Sequence, residues 1–362
     1  LLKPESPATD TAVIPTSTAP STLPRQGSSF DPQDWKQQLA NAIRTAPQLV
    51  AGGWVAREHE ADYAELLERF PMVLPPYYAG LIDRTDPLCP IRRQAIPAPE
   101  EMVHADMGKS DPLEDLKNRP APRITHRYHG RALLHLTPNC SMVCRYCFRK
   151  SLLAEGKQDF VGGELKQALE YIANTRTLTE IIFSGGDPFL ANENTLIQTL
   201  EALGKIPHLK RIRFHSRVPV TLPMRVTKEF AELLTRSGKT TAVVCHFNHP
   251  RELTPEAAVC IARMRSAGMT VFNQSVLLSG VNDSAAVLGK LCEGLFELGA
   301  VPYYLHHPDP AQGTAHFEIS AERGVEIVET LQRQLPGYLV PRYVVDNPDF
   351  PYKRCVAIPE SR

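Results

Sequence analysis

Three cysteines, Cys140, Cys144 and Cys147, fall within eight residues in the stretch LTPNCSMVCRYCFRK, and no fourth follows to close a four-ligand site. Thiolates are ligands for zinc or for iron-sulfur clusters. Structural zinc is normally closed by four ligands, and the chain has no paired Cys-x-x-Cys elsewhere. Asn139, Tyr146 and Phe148 flank the thiols, which suggests a sheltered site instead of an exposed redox pair. The ligand count favours an iron-sulfur cluster, with zinc and unligated thiols as the alternatives. A second stretch, FSGGDPF from Phe183 to Phe189, reads plainly as a tight turn into a helix, because glycine tolerates positive φ and proline suits a first helical turn. His215, His246 and His249 stand at the ends of apolar runs, where each taken singly is a core or cap histidine.

Residues of this kind need a frame, and the chain supplies one. From residue 131 short β-branched or aromatic runs (132–137, 180–185, 211–216, 241–247, 270–278 and 301–307) alternate with amphipathic stretches such as GELKQALEYIANT and TPEAAVCIARMRSAG. That alternation predicts an α/β fold of βαβ units around a parallel sheet. Six units predict an incomplete barrel or a wide curved sheet, and in parallel barrels active-site residues come from the loops after the strands. The cysteines follow the first run and Gly-Gly-Asp the second, where that rule puts chemistry. The expected organisation is a disordered Pro/Ser/Thr-rich leader (1–30), a helical N-terminal region (31–117), the barrel (118–337) and a C-terminal segment (338–362). In 362 residues, 40 basic and 40 acidic side chains balance, which argues against nucleic-acid or membrane-surface partners and for a small molecule. No apolar run approaches a membrane span of about 18 residues, and the N-terminus lacks the apolar core of a signal peptide. Of eight cysteines only three cluster, so a reduced, cytoplasmic setting is expected and no disulfide framework.

The spacing Cys140-x-x-x-Cys144-x-x-Cys147, with an aromatic residue before the last cysteine, resembles the signature of radical S-adenosylmethionine enzymes. The resemblance implies a four-iron, four-sulfur cluster on the three thiolates, an open iron that takes S-adenosylmethionine, and a partial (β/α)6 barrel. It makes Gly185, Gly186 and Asp187 expected contacts of the cofactor's amino group. The stretches RYHGRALL, HSRVPVTLPMR, CHFNHP, NQSVLLSGVND, YYLHHPDPAQGTAHF and GYLVPRYVVD carry the similarity further, to the lysine 2,3-aminomutase family from about Trp35 to Lys353.

That narrower resemblance implies Ser216, Arg217, His246 and Gln274 around S-adenosylmethionine, and pyridoxal phosphate held by Lys353 with Arg127 and Arg131 near its charge. It implies Asp309 and Asp346 as partners of a lysine side-chain ammonium, which must not be buried unpaired. Arg149 would grip the substrate carboxylate with its planar donor fork. The implied reaction moves the amino group of free lysine from C2 to C3. Another cationic amino acid such as arginine, a radical enzyme without pyridoxal phosphate, and a zinc-binding interaction protein are the alternatives. One departure stands out. Family members place a glycine-rich loop before the anchoring lysine and Thr-Pro after it, whereas residues 348–352 here read PDFPY and Arg354 follows. The short tail resembles the compact branch that supplies β-lysine for modification of elongation factor P. Assembly into a homo-oligomer is compatible with the sequence.

Overall fold

The structure is a computed structural model describing residues 30–103, 105–150 and 163–356; the expected leader, apart from Phe30, lies outside them. One sheet holds nine strands in chain order: β1 (Ile124–Tyr128), β2 (Arg131–Leu134), β3 (Glu180–Phe183), β4 (Arg211–Ser216), β5 (Thr240–Cys245), β6 (Thr270–Val276), β7 (Val301–His306), β8 (Arg342–Val345) and β9 (Arg354–Cys355). Strands β2 to β8 run parallel, while β1 and β9 close the two edges antiparallel. The first and last strands are not paired, so the sheet is an open, partial barrel. The six expected runs are β2 to β7, and the C-terminal segment adds a seventh parallel strand, β8, with its antiparallel partner β9.

Strand register sorts the side chains onto two faces. Phe183, Phe214 and Val243 are neighbours across β3, β4 and β5. They share one buried cluster with Leu196, Leu200, Phe230, Ile261, Leu288 and Leu331 of the surrounding helices. The rings of Phe183 and Phe214 stack at 4.8 Å. The helices are delimited by local chemistry. The Ser284 side chain caps Ala285–Leu298, which ends at Gly299 with φ 87°, a conformation that costs glycine little. The alternate residues His215, His246, Gln274, Tyr304 and His306 therefore point to the inner face.

The N-terminal helices do not form a separate core. Leu49, Tyr78 and Ile91 belong to the same buried cluster as the barrel. Polar contacts tie the two parts as well: the Tyr78 hydroxyl donates to Glu252 Oε1 at 2.6 Å, and Gln94 Oε1 accepts from Arg217 Nη2 (2.8 Å) and Asn248 Nδ2 (3.0 Å). Deepest of these is Glu101. Its oxygens accept from Arg145 Nε (2.9 Å), Arg145 Nη2 (2.5 Å) and Lys150 Nζ (2.8 Å), with all three side chains buried. Burial raises the Glu101 pKa, but the charges of Arg145 and Lys150 outweigh it and hold the carboxyl below its ordinary value.

Removing that carboxylate leaves two buried cations unpaired. Glu101→Ala is expected to cost about 3–5 kcal/mol in urea unfolding. Glu329→Ala, which breaks an exposed pair with Arg333 one helical turn away, is expected to cost no more than about 0.5 kcal/mol. Equal losses would contradict the assignment.

Candidate active site

The loop after β2 carries the three thiols, and the N-terminal region holds it in place through backbone bonds from Arg145 N to Gln94 O (3.0 Å) and Val143 N to Val73 O (3.4 Å). Within the loop Cys147 N donates to Cys144 O at 3.0 Å. Burial is the main cause that pushes all three thiols up; Asp187 adds to it at Cys140 and Cys144, and Cys144 adds to it at Cys147, which is pushed to about 11. The charge of Arg217 beside Cys144, and those of Arg149 and Lys150 beside Cys147, do not offset burial, and a group of soft donors in that condition suits a metal centre that ionises them. Among the described residues no three His, Cys, Asp or Glu side chains converge as a single ion requires. A four-iron cluster binds each thiolate at a different iron and does not ask for that convergence.

Gly185 and Gly186 lie against this loop. A Cβ on Gly186 would stand 2.5 Å from Thr137 O and 2.7 Å from Asn139 O, and one on Gly185, at φ 114°, would strike the His135 ring. Gly186 N donates to Thr137 O (3.2 Å) and Asp187 N to Asn139 O (2.8 Å). The glycines thus permit close approach, but in this structure it is the approach of one loop to another. The Asp187 carboxylate is engaged internally. It accepts from Ser216 Oγ (2.8 Å) and from the backbone of Arg217 (2.7 Å), Val218 (3.1 Å) and Phe189 (3.1 Å). Ser216 is buried and aligned with core residue Cys245, so its hydroxyl serves this lock and faces away from the inner surface.

Arg217 is also committed to protein partners: Nη2 meets Glu252 Oε1 (3.0 Å), Gln94 and Tyr78, and Nη1 the carbonyl of His246 (3.3 Å). Its Nε is buried without a partner, and its charge acts on Cys144. His246 Nε2 lies 3.1 Å from Gln274 Nε2, and burial brings the pKa of His246 down to about 3. His215 and His306, on the same inner face, each have a buried Nε2 with no hydrogen-bond partner.

The far end of the chain meets this face through a hairpin. Val345 opposes Arg354 in the β8–β9 pair, so the next cross-strand position brings Asp346 opposite Lys353, and the two form an ion pair. Asn347 shapes the turn, its Oδ1 accepting from Asp349 N (2.9 Å) and its carbonyl from Phe350 N (3.1 Å). Arg127 Nη2 stands 3.2 Å from Asp346 Oδ1, and the Tyr128 hydroxyl donates to the same carboxylate at 3.1 Å. Arg131 is one step removed, its guanidinium over the Tyr128 ring at 4.1 Å. Burial raises the Asp346 pKa, but the charges of Lys353 and Arg127 outweigh it and hold the carboxyl below its ordinary value. Asp309, in the loop after β7, is pushed up to about 7 by burial and then by the charge of Asp346.

Arg149 stands beside the cluster loop, paired through Nε (3.1 Å) and Nη2 (2.6 Å) with Asp115 Oδ2. Sequence reasoning missed Asp115, Glu101, Tyr128 and His306, and it named His215 without foreseeing that its Nε2 would be left unpartnered. Asp115 and Glu101 carried no signal beyond being acidic residues in a polar stretch. The pairing of Asp346 with Lys353 had no short-turn signal, because six residues with two prolines, NPDFPY, separate them.

The Gly186 contacts generate an expectation. Gly186→Ala, clashing with backbone that cannot swing aside, should displace the cysteine loop, cost about 1–3 kcal/mol and lower the iron bound after reconstitution. Wild-type iron content and cluster absorbance in that variant would contradict it. Residues 134–288 match the model of the Radical SAM superfamily. The L-lysine 2,3-aminomutase of Clostridium subterminale is 37% identical over 321 residues, 89% of this chain and 77% of that protein. That of Haemophilus influenzae is 37% identical over 88% of this chain and 94% of its own, and that of Escherichia coli 36% over 86% and 90%. A cysteine loop at the head of a partial parallel barrel, and identity of this order over most of the chain, have one explanation: the protein is an isomerase belonging to the lysine 2,3-aminomutase family of radical S-adenosylmethionine enzymes.

Proposed function

We propose that the protein moves the amino group of free L-lysine from C2 to C3, giving β-lysine, with a four-iron, four-sulfur cluster on Cys140, Cys144 and Cys147, S-adenosylmethionine, and pyridoxal phosphate anchored at Lys353. The observation that carries this reading is the meeting of Lys353, Asp346 and Arg127 at the edge of the inner face, with Asp309 close enough to feel two of those charges. A lysine, a cation for a phosphate and two carboxylates for an ammonium are the groups the reaction needs. The donor set fits the cofactors: soft thiols await a cation, and the unpartnered Nε2 atoms of His215 and His306 offer polar contacts beside an aromatic, phosphorylated group. When bound, S-adenosylmethionine on the reduced cluster supplies the hydrogen-abstracting radical, and pyridoxal phosphate carries the migrating amino group.

The residues of the chain then have positional tasks. Gly186 and Asp187 already donate their N–H groups to the cysteine loop, and the Asp187 carbonyl accepts from Leu190 N (3.0 Å), so the Gly186 carbonyl is what this segment can offer to a cofactor ammonium. Asp346 pairs with the free Lys353 amine, and once pyridoxal phosphate occupies Lys353 that carboxylate would be available to the ammonium of a lysine substrate. Arg149 fixes the opposite end of the substrate through its carboxylate. Two anchors at the ends of an extended amino acid hold C3 in one place, and positioning of this kind contributes directly to rate. Eight cysteines, none in a disulfide, fit the reduced conditions of the cytoplasm.

The test is anaerobic incubation of reconstituted protein with S-adenosylmethionine, pyridoxal phosphate, a reductant and a panel of lysine, arginine, ornithine and glutamate. A 3-amino product from lysine is expected; a product only from another member moves the substrate assignment, and none from any overturns the reading. Borohydride should reduce pyridoxal phosphate onto Lys353 in the wild type and not in Lys353→Met. Asp309 adds a pH signature. The substrate ammonium stays charged well above pH 7, whereas Asp309 is protonated as pH falls through about 7, and only its ionised form attracts the cation. KM for lysine should therefore rise below about pH 7, by up to about tenfold per unit, and Asp309→Asn should flatten that limb.

A further inference from the structure

The turn at residues 111–116 is built to aim one carboxylate. Asp111 at its start binds its far end, Oδ1 accepting from Asp115 N and Oδ2 from Leu116 N, each at 2.9 Å. Glu114 between them adopts φ 52°, a left-handed conformation that a non-glycine residue holds only at a cost. The product of that geometry is the Asp115 side chain, 4% exposed, against an Arg149 side chain that is 11% exposed.

How the guanidinium is held decides what it can still do. Asp115 Oδ2 takes the Nε and Nη2 edge, at 3.1 and 2.6 Å, and the Phe148 ring lies against the guanidinium at 4.5 Å. Nη1 forms no hydrogen bond to any described residue and is not sealed from solvent. A planar fork fastened along one edge presents its other edge, Nη1 with the second N–H of Nη2, in a fixed direction, and that edge matches a carboxylate. Without Asp115 the same arginine would rotate among several rotamers, and its ordering would have to be supplied by the substrate.

We propose that Asp115, aimed by the Asp111-capped turn, is the positioning residue that turns Arg149 into a selective receptor for a free α-carboxylate, so that the enzyme discriminates free amino acids from amino-acid amides and from lysine within a peptide. This rests on the reading of Arg149 as the carboxylate grip. Asp115 does not touch the substrate; it acts through the guanidinium.

The experiment is calorimetric titration of the anaerobic, cofactor-reconstituted protein with L-lysine and with L-lysinamide, without reductant so that no turnover occurs. The wild type should prefer lysine by about 10- to 100-fold, the range of a charge-assisted pair. Asp115→Asn should reduce the preference to within about threefold by weakening lysine alone, since lysinamide has no carboxylate for the fork to grip. Asp111→Ala, which keeps the Asp115 charge but releases the turn, should weaken lysine in the same selective way and covers the case in which Asp115→Asn does not fold. Asp115→Glu should restore part of the preference. Variants that keep the wild-type preference, or that weaken both ligands equally, overturn the inference while the carboxylate grip stands. A wild type indifferent to the carboxylate overturns both. A wild type that shows the preference and its dependence on Asp115, yet makes no 3-amino product under reducing conditions, supports the inference and counts against lysine migration.

Discussion

Seven parallel strands hydrogen-bonded in one ladder impose a period of two on the molecule, and the site follows from it. Because one face must bury Phe183, Phe214 and Val243 against the helices, the alternate positions are turned inward whatever their chemistry. That is how His215, His246, Gln274 and His306, drawn from four strands, come to share a surface. Ser216 falls on the other parity. Its hydroxyl bonds Asp187, which locks the ends of β3 and β4 together and leaves the inner face to its neighbours.

The second constraint is charge out of water. Glu101 balances Arg145 and Lys150, Asp115 balances Arg149, and Glu252 balances Arg217. Desolvating each ion is costly, and only close pairing offsets it. Three of these cations, Arg145, Arg149 and Lys150, belong to the cysteine loop or its immediate continuation, and their carboxylates belong to the segment before β1. The N-terminal region is therefore the electrostatic complement of the cluster loop and cannot be regarded as an appendage. Lys150 extends the same network to the loop of Asp309, with its Nζ donating to Gly313 O at 2.6 Å.

At the opposite edge the partners are unequally shared between two anions. Asp346 is satisfied by Lys353, Arg127 and Tyr128, whereas the half-buried Asp309 forms no ion pair among the described residues and shifts toward neutrality, the charges of Lys353 and Arg149 acting on it too weakly to offset desolvation.

The sequence by itself determined the strand–helix alternation, the cysteine triplet at the end of the first parallel strand, and Gly-Gly-Asp at the end of the next. These are local signals, carried by apolar period, by β-branched content and by residue types packed into a few positions. It also brought forward Lys353, Asp346, Asp309 and Arg149 through resemblance, though not which of them touch. Only the tertiary structure decided that β8 and β9 form the hairpin pairing Asp346 with Lys353, and that the polar stretch around 101–115 holds the counter-ions of the cysteine loop. Partners as far apart as Glu101 and Lys150, or Asp115 and Arg149, leave no periodic trace, because an ion pair needs two side chains at one point in space and sets no condition on their spacing along the chain.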